Sequence, residues 1–252
     1  MREEFRPNEG NVEINPPFKP LTEVEGFKPN IKSVEDNPDK LVRSVNLGDH
    51  LEEKFELEFS EEEFKRGKKV FEKMRDEYGI SIPDIQLVKG EERGLLKMFT
   101  VIDRIYGESL DKIKVLPPEA QTKADDFFSK LARFFYDIFK EGGDFWFDLR
   151  DDQYVYGHRK DEKNDRIYII DVDPVIKEYD PKNKEGNYFL FDVLEMLFSD
   201  MLEVEEKFNP PVELTKTRKF LENMIDEIPK NIPGRSTLDG VWWKLVEKRI
   251  VK

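Results

Sequence analysis

Large apolar side chains recur at spacings of three and four between residues 119 and 143, and this pattern constrains the fold most strongly. The side chains are those of Phe127, Leu131, Phe134, Phe135 and Ile138. The spacing places them on one face of a helix, and the Gly pair at 142 and 143 is typical of a helix end. The sequence therefore predicts a long helix packed on a core.

The region before this helix is rich in β-type segments. FKPNIKSVEDNPDKLVRSVNL, residues 27–47, holds two short apolar runs around a turn composition at 36–39, which predicts a hairpin. IQLVKG and GLLKMFTVIDRI predict two further strands around a charged turn at 89–94. Between the two pairs, Phe64, Val70, Phe71 and Met74 form an apolar stripe that predicts a helix over about 60–78.

After the long helix, QYVYG and RIYIIDV predict a hairpin around the charged turn HRKDEKND. Two further helices are expected over about 187–206 and 212–227. The N-terminal residues, rich in Pro, Glu and Asn, show no sustained period and predict an extended arm. The fold class expected from this order of elements is α+β.

Composition excludes several kinds of site. The chain contains no cysteine and only two histidines, His50 and His158, so disulfides, thiolate sites and a histidine metal cluster are not expected. Any bound metal would be a hard cation held by oxygen. The net charge of −13 argues against a broad nucleic-acid-binding face.

The N-terminal segment MREEFRPNEG has no apolar run, and no later segment approaches the roughly 20 apolar residues that span a bilayer. We therefore expect no membrane association and a cytoplasmic location.

Three polar residues bracket the predicted hairpin. Asp148 lies in the loop after the long helix, Gln153 follows five positions later, and Asp171 ends the second strand. A hairpin brings its two outer ends together, so these side chains are expected at one end of the sheet. Nucleotide-dependent phosphoryl transfer uses one carboxylate to orient the acceptor and another to hold Mg²⁺ on the phosphates.

The segment VIDRIYGESL, residues 101–110, resembles the hinge of aminoglycoside phosphotransferase-like kinases. In that family a strand ends in an acidic and basic pair, and a Gly-Glu/Gln-Ser-Leu sequence follows. The resemblance extends over about residues 24–205. It implies a two-lobed protein-kinase-like fold with a small β-rich lobe, residues 24–105, and a mainly helical lobe, residues 106–252, preceded by the arm at 1–23.

The resemblance also implies a role for each candidate residue. Asp148 falls on the catalytic aspartate, Gln153 on a metal-binding asparagine, and Asp171 on the magnesium-binding aspartate. Arg43 replaces the phosphate-binding lysine, and the residues expected near the nucleotide base are Asp103, Arg104 and Ile105. The implied cofactors are ATP or GTP and Mg²⁺, with an unidentified hydroxyl-bearing acceptor.

The chain departs from the family pattern at several positions other than the two aspartates. Trp146 and Phe147 stand in place of a histidine-containing pair, and Gly67 falls near the expected helix glutamate. Glutamine is one methylene longer than asparagine, so it would not reach Mg²⁺ in the same pose. The wide fork of arginine does not replace the compact ammonium of lysine at a phosphate. The retained aspartates favour an active phosphotransferase, whereas the substituted positions favour a catalytically inactive pseudokinase that binds a protein partner.

Plainer interpretations accompany these assignments. Asp148 lies among other aspartates in a loop, where aspartate is common, and Pro174 explains a strand end beside Asp171 without any ligand. An ordinary alternative for Arg43 is a strand residue whose long side chain extends to solvent. A third alternative is an unrelated acidic interaction protein, which the absence of a hinge between a β-rich and a helical lobe would establish.

Overall fold

The computed structural model describes residues 19–20, 28–29, 40–46, 61–92, 95–183, 188–228, 239–240 and 243. Within these ranges the protein is a mixed α+β structure with four α-helices and antiparallel strands. The helices are α1 (Glu61–Asp76), α2 (Ala120–Glu141), α3 (Tyr188–Glu206) and α4 (Thr215–Glu227). In the described residues no helix is both long and apolar enough to cross a membrane.

Ten strands in the described part of the chain form three separate sheets. They are β1 (Lys19–Pro20), β2 (Lys28–Pro29), β3 (Lys40–Asn46), β4 (Ile85–Glu92), β5 (Leu95–Asp103), β6 (Ile105–Ser109), β7 (Gly143–Trp146), β8 (Tyr154–Arg159), β9 (Arg166–Ile169) and β10 (Ile176–Tyr179). The largest sheet has the order β1-β3-β5-β4-β2, and the smaller ones are β6-β8-β9 and β7-β10. All pairs are antiparallel.

The helices predicted from apolar periodicity are confirmed. In α1 the stripe of Phe64, Val70, Phe71 and Met74 is buried. In α2 the predicted face of five large apolar residues is buried as well, and the helix ends at Gly142, where φ is +83°. Both faces contribute to one continuous hydrophobic core that also includes residues of α3 and α4.

The predicted hairpin within residues 27–47 is wrong where the structure describes those residues. Lys28 and Pro29 pair with β4, whereas β3 pairs with β1 on one side and β5 on the other. Because both edges of β3 are already occupied, it has no free edge for a hairpin with the preceding run. β1 lies within the predicted N-terminal arm, so part of that arm is a strand of the main sheet.

The two strands predicted around the charged turn at 89–94 are confirmed as β4 and β5, which pair with each other, and the predicted hairpin β8–β9 is confirmed. A further strand, β6, continues from β5 after one residue and joins the β8–β9 hairpin. The strands β6 and β8 approach most closely at Gly107 and Gly157, which face each other in the register. A Cβ atom on Gly107 would lie 2.2 Å from the Tyr156 carbonyl oxygen, so a side chain is excluded there.

Candidate functional site

Asp148 lies in the loop between β7 and β8 and is held by its neighbours. Its carboxylate accepts a 2.9 Å hydrogen bond from Nε2 of Gln153 and a 3.3 Å hydrogen bond from the Arg150 guanidinium. Gln153 closes a short 3₁₀ turn, in which its backbone N–H donates to the Arg150 carbonyl at 3.1 Å. The five-residue spacing seen in the sequence therefore brings the two side chains into direct contact.

Asp171 begins the loop between β9 and β10. Its carboxylate accepts a hydrogen bond from the Asp173 backbone N–H at 3.2 Å. The Asp173 carbonyl in turn accepts from the Val175 N–H at 2.8 Å, so the loop folds back tightly on itself. Asp171 is partly exposed, whereas Asp173 and Pro174 are buried.

Two backbone hydrogen bonds hold these loops side by side. The N–H of Ile170 donates to the Gln153 carbonyl at 3.0 Å, and the N–H of Phe147 donates to the Val175 carbonyl at 3.0 Å. The loop of Asp148 and the loop of Asp171 are thus fastened at both ends. The three polar residues predicted to bracket the hairpin lie on adjacent loops in the folded protein.

The side-chain oxygen of Gln153 is buried and accepts no hydrogen bond from a described residue. Its side chain is 2% exposed, and while Nε2 donates to Asp148, Oε1 has no hydrogen-bond partner among the described residues. A buried amide oxygen without a donor is costly, and such oxygens are suitable ligands for a hard cation. The side-chain oxygens of Gln153 and Asp171 are of the type that Mg²⁺ prefers.

The described residues contain no group of three or more His, Cys, Asp or Glu side chains arranged to hold a metal ion. Magnesium usually takes one or two protein ligands, with phosphates and waters completing its coordination. A site built from Asp171 and Gln153 would belong to that class and would depend on a bound phosphate.

The predicted hinge residues lie where β5 passes into β6. Asp103 is the last residue of β5, and Ile105, which is 2% exposed, is the first of β6. The guanidinium of Arg104, between them, lies over the Tyr106 ring at 5.5 Å. These residues follow the main sheet directly and precede the strand that pairs with β8.

Arg43 lies in the middle of β3, opposite Thr100 of β5 in the strand register. Its side chain lies outside the described part of the structure. Its predicted position near the phosphates therefore stays a prediction.

Helix α1 packs against β7, the strand that leads into the Asp148 loop. Arg66 donates to the Asp144 carboxylate, with its Nε at 2.7 Å, and thereby joins α1 to β7. Phe71 packs edge to face on Trp146, with ring centroids 5.5 Å apart. Trp146 is fully buried, and its indole N–H has no partner among the described residues.

An acidic cavity of about 460 Å³ opens beside the Asp148 loop. It is lined by Asp111, Leu149, Arg150, Asp151, Asp152, Glu195, Met196, Ser199 and Asp200. The lining thus combines five carboxylates with one guanidinium. Arg150 reaches both Asp148 and Asp152, at 3.3 and 3.8 Å, and so connects the cavity to the candidate catalytic aspartate.

Asp200 is the most unusual member of this cavity. Burial raises the pKa of its carboxyl to about 7, and the nearby carboxylates of Asp151 and Glu203 act in the same direction. Its Oδ2 is buried without a hydrogen-bond partner in the described structure. Burial likewise raises the pKa values of Asp152 and Glu203.

Sequence reasoning missed Asp200 as a candidate residue. A signal was present, because Asp200 lies three positions after the buried Leu197 and four before the buried Val204, on the apolar face of α3. An acidic residue on such a face is rarely fully buried without a specific reason.

No protein-family model matches the chain, and no curated protein matches it either.

Proposed function

We propose that this protein is a kinase-like phosphotransferase that moves a phosphate from ATP or GTP to a hydroxyl acceptor with the help of Mg²⁺. The observation that carries the proposal is the pair of backbone hydrogen bonds that fasten the Asp148 loop to the Asp171 loop. Phosphoryl transfer depends mainly on positioning and charge stabilisation. Adjacent loops would place a carboxylate that orients the acceptor beside a carboxylate that holds the charge-neutralising metal.

Each residue has a proposed role. Asp148 would orient the acceptor hydroxyl and accept its proton, while Asp171 and Gln153 would hold Mg²⁺. The metal would neutralise charge on the nucleotide phosphates. Arg43 is proposed to lie near the phosphates, and residues 103–105 near the nucleotide base.

The two-lobed arrangement is part of the proposal. The main sheet with α1 corresponds to the implied small lobe, which consists of a β-sheet and one helix. The region after β5, with α2, α3 and α4, corresponds to the implied helical lobe. The junction of β5 and β6 would then be the hinge, and the two fastened loops would form the floor of the nucleotide cleft.

The acidic cavity favours an acceptor that carries positive charge. Five carboxylates line it, and Arg150 already contacts Asp148 and Asp152. The unpartnered Oδ2 of Asp200 offers an acceptor for an ammonium or hydroxyl group. An amine-bearing hydroxyl compound would place its charge there and its hydroxyl group toward Asp148.

A second candidate function is a non-catalytic binding module. Gly67 occupies the position expected for the helix glutamate, and it packs directly on Pro174 of the Asp171 loop. No carboxylate of α1 can occupy that contact. A chain without this acid would bind a nucleotide or protein without turnover.

The decisive experiment is a thermal-shift and calorimetric titration with ATP and GTP, each with and without Mg²⁺. The proteins are the wild type, Asp171→Ala, and Asp161→Ala as a control in the exposed hairpin turn. Mg²⁺-dependent binding that Asp171→Ala loses and Asp161→Ala retains supports the phosphotransferase. Binding that is independent of both Mg²⁺ and Asp171 supports the non-catalytic module. No binding at millimolar nucleotide refutes the phosphotransferase and leaves a module that binds a protein partner as the better account.

A further inference from the structure

A second cavity of about 570 Å³ lies between the loop after α1, one face of α2, and the start of β9. It shares no lining residue with the acidic cavity. The charged residues around it are Lys123, Asp126, Lys130, Asp165 and Arg166. Its size lies within the range of small-molecule sites.

The carboxylates of this cavity already have partners within the protein. Asp126 accepts Nζ of Lys130 at 2.5 Å and Nζ of Lys216 at 3.1 Å. Asp165 contacts Nδ1 of His158 at 2.7 Å. Asp126, with two ammonium partners, therefore contributes little free negative charge to a ligand in the cavity.

Two cations of the lining, Lys123 and Arg166, are less closely paired than Lys130, whose ammonium contacts Asp126 at 2.5 Å. The ammonium of Lys123 lies over the Tyr156 ring at 5.7 Å, and no described carboxylate lies within ion-pair distance of it. Arg166 has Glu162 only at 3.8 Å, and its side chain is 54% exposed. The lining holds three cations and two carboxylates, whereas the whole chain has a net charge of −13.

We propose that this cavity binds a small phosphate-bearing anion through Lys123 and Arg166. The two residues come from different elements, α2 and β9, so their charges converge on the cavity from two sides. Arginine supplies a planar fork and lysine a compact ammonium, a combination well suited to phosphate oxygens. Phe127 and Ile167 provide an apolar wall for the rest of the ligand.

The site is independent of the proposed phosphotransferase function. It is nevertheless coupled to the same hairpin, because the Ser81 carbonyl of the cavity wall accepts a 3.0 Å hydrogen bond from the N–H of Ile169 in β9. A ligand in this cavity would contact the loop at 79–82, which supplies the Ser81 carbonyl, and the strand that begins at Arg166, which supplies the Ile169 N–H.

The test is calorimetric titration with inorganic pyrophosphate, without nucleotide or Mg²⁺ and at low ionic strength. The variant Lys123→Ala/Arg166→Ala removes both cations, and Lys114→Ala/Arg133→Ala removes the same charges from exposed positions outside the cavity. We expect saturable binding by the wild type, at least tenfold weaker binding by the first variant, and unchanged binding by the control. Equal weakening in both variants would show general charge attraction and overturn the proposal.

Two further measurements locate the binding. Asp171→Asn should bind pyrophosphate with the same affinity as the wild type. Because no Mg²⁺ is present, removing this carboxylate would strengthen anion binding at the candidate nucleotide site, and an increased affinity would assign the anion to that site instead. Hydrogen exchange on the wild type should slow at residues 79–82 and 164–167 when pyrophosphate is added. No saturable binding at millimolar pyrophosphate, or slowed exchange confined to other segments, overturns the proposal.

Discussion

Gly67 of α1 lies directly against Pro174 of the Asp171 loop. A Cβ atom on residue 67 would be 2.7 Å from Cβ and 2.9 Å from Cα of Pro174. Real Cβ contacts are not this short, and one of the two atoms belongs to the backbone, so the loop would have to move. The absence of a side chain at position 67 is therefore what allows α1 to support the loop that carries Asp171.

We expect Gly67→Ala to lower the free energy of unfolding. Alanine favours a helix interior by up to about 1 kcal/mol over glycine, but overpacking typically costs about 1–3 kcal/mol. The net loss should be on the order of 1–2 kcal/mol in urea unfolding. Gly240→Ala is the matched control, since no described atom lies within 4 Å of its Cβ position; an equal loss there would contradict the packing argument.

The elements with local signals were predictable from the sequence. The stripe from Phe64 to Met74 and the face from Phe127 to Ile138 each follow the period of a helix, and both are buried as expected. The β8–β9 hairpin is equally local, since its strands are separated only by one charged turn. In these cases the residues that decide the structure lie within a few positions of each other.

Features that depend on distant segments were not predictable. Lys28 and Pro29 pair with β4 about sixty residues later, because β3 has both edges occupied by other strands. The contact of Gly67 with Pro174 and the placement of Asp200 beside Asp151 also join distant parts of the chain. The adjacency of Asp148 and Asp171 was inferable, by contrast, because a single hairpin connects them.

Asp148→Asn should leave nucleotide binding intact and reduce turnover. The amide is nearly isosteric and can still contact Gln153, but it cannot accept a proton from an acceptor hydroxyl. We expect nucleotide hydrolysis or transfer to fall by about 10²–10⁴-fold, the usual contribution of a general base. Asp161→Asn in the exposed turn is the control; unchanged turnover in Asp148→Asn would remove Asp148 from the proposed mechanism.

Gln153→Leu separates metal binding from a structural role. It removes the hydrogen bond to Asp148 and also the buried Oε1 that lacks a partner, so the change in folding free energy should stay within about 1 kcal/mol. If Oε1 is a magnesium ligand, Mg²⁺-dependent nucleotide affinity should fall at least about tenfold. Unchanged Mg²⁺ dependence in calorimetry, with the fold intact, would show that Gln153 only positions Asp148.

Breaking the ion pair between α3 and α4 should destabilise the helical region strongly. Arg218 donates through Nε at 2.7 Å to Glu205, which also accepts the Leu214 N–H at 2.7 Å, and both charged side chains are at least 95% buried. Arg218→Met leaves a buried carboxylate without its cation, which typically costs about 3–5 kcal/mol. Lys216→Met removes an exposed cation from the same helix, with an expected cost of about 0–1 kcal/mol in urea unfolding.

A double substitution distinguishes charge burial from loss of packing. Glu205→Leu/Arg218→Met replaces the pair with apolar side chains of similar size, and such replacements are often close to neutral. We expect it to recover most of the stability lost in Arg218→Met. If the double variant were as unstable as the single one, packing or the contact with Leu214 would explain the loss.

Asp200 should make stability depend on pH between 5 and 8. Burial raises its pKa in the folded protein to about 7, whereas the unfolded chain releases this proton near pH 4. The folded state therefore binds more protons in this range, and its stability should fall as pH rises, by on the order of 3 kcal/mol.

Asp200→Asn stays neutral at every pH, so its advantage over the wild type should grow from pH 5 to pH 8 in urea unfolding. Asp192→Asn, exposed on the same helix, should track the wild type; a constant offset between Asp200→Asn and the wild type would show that the Asp200 carboxyl already ionises at low pH.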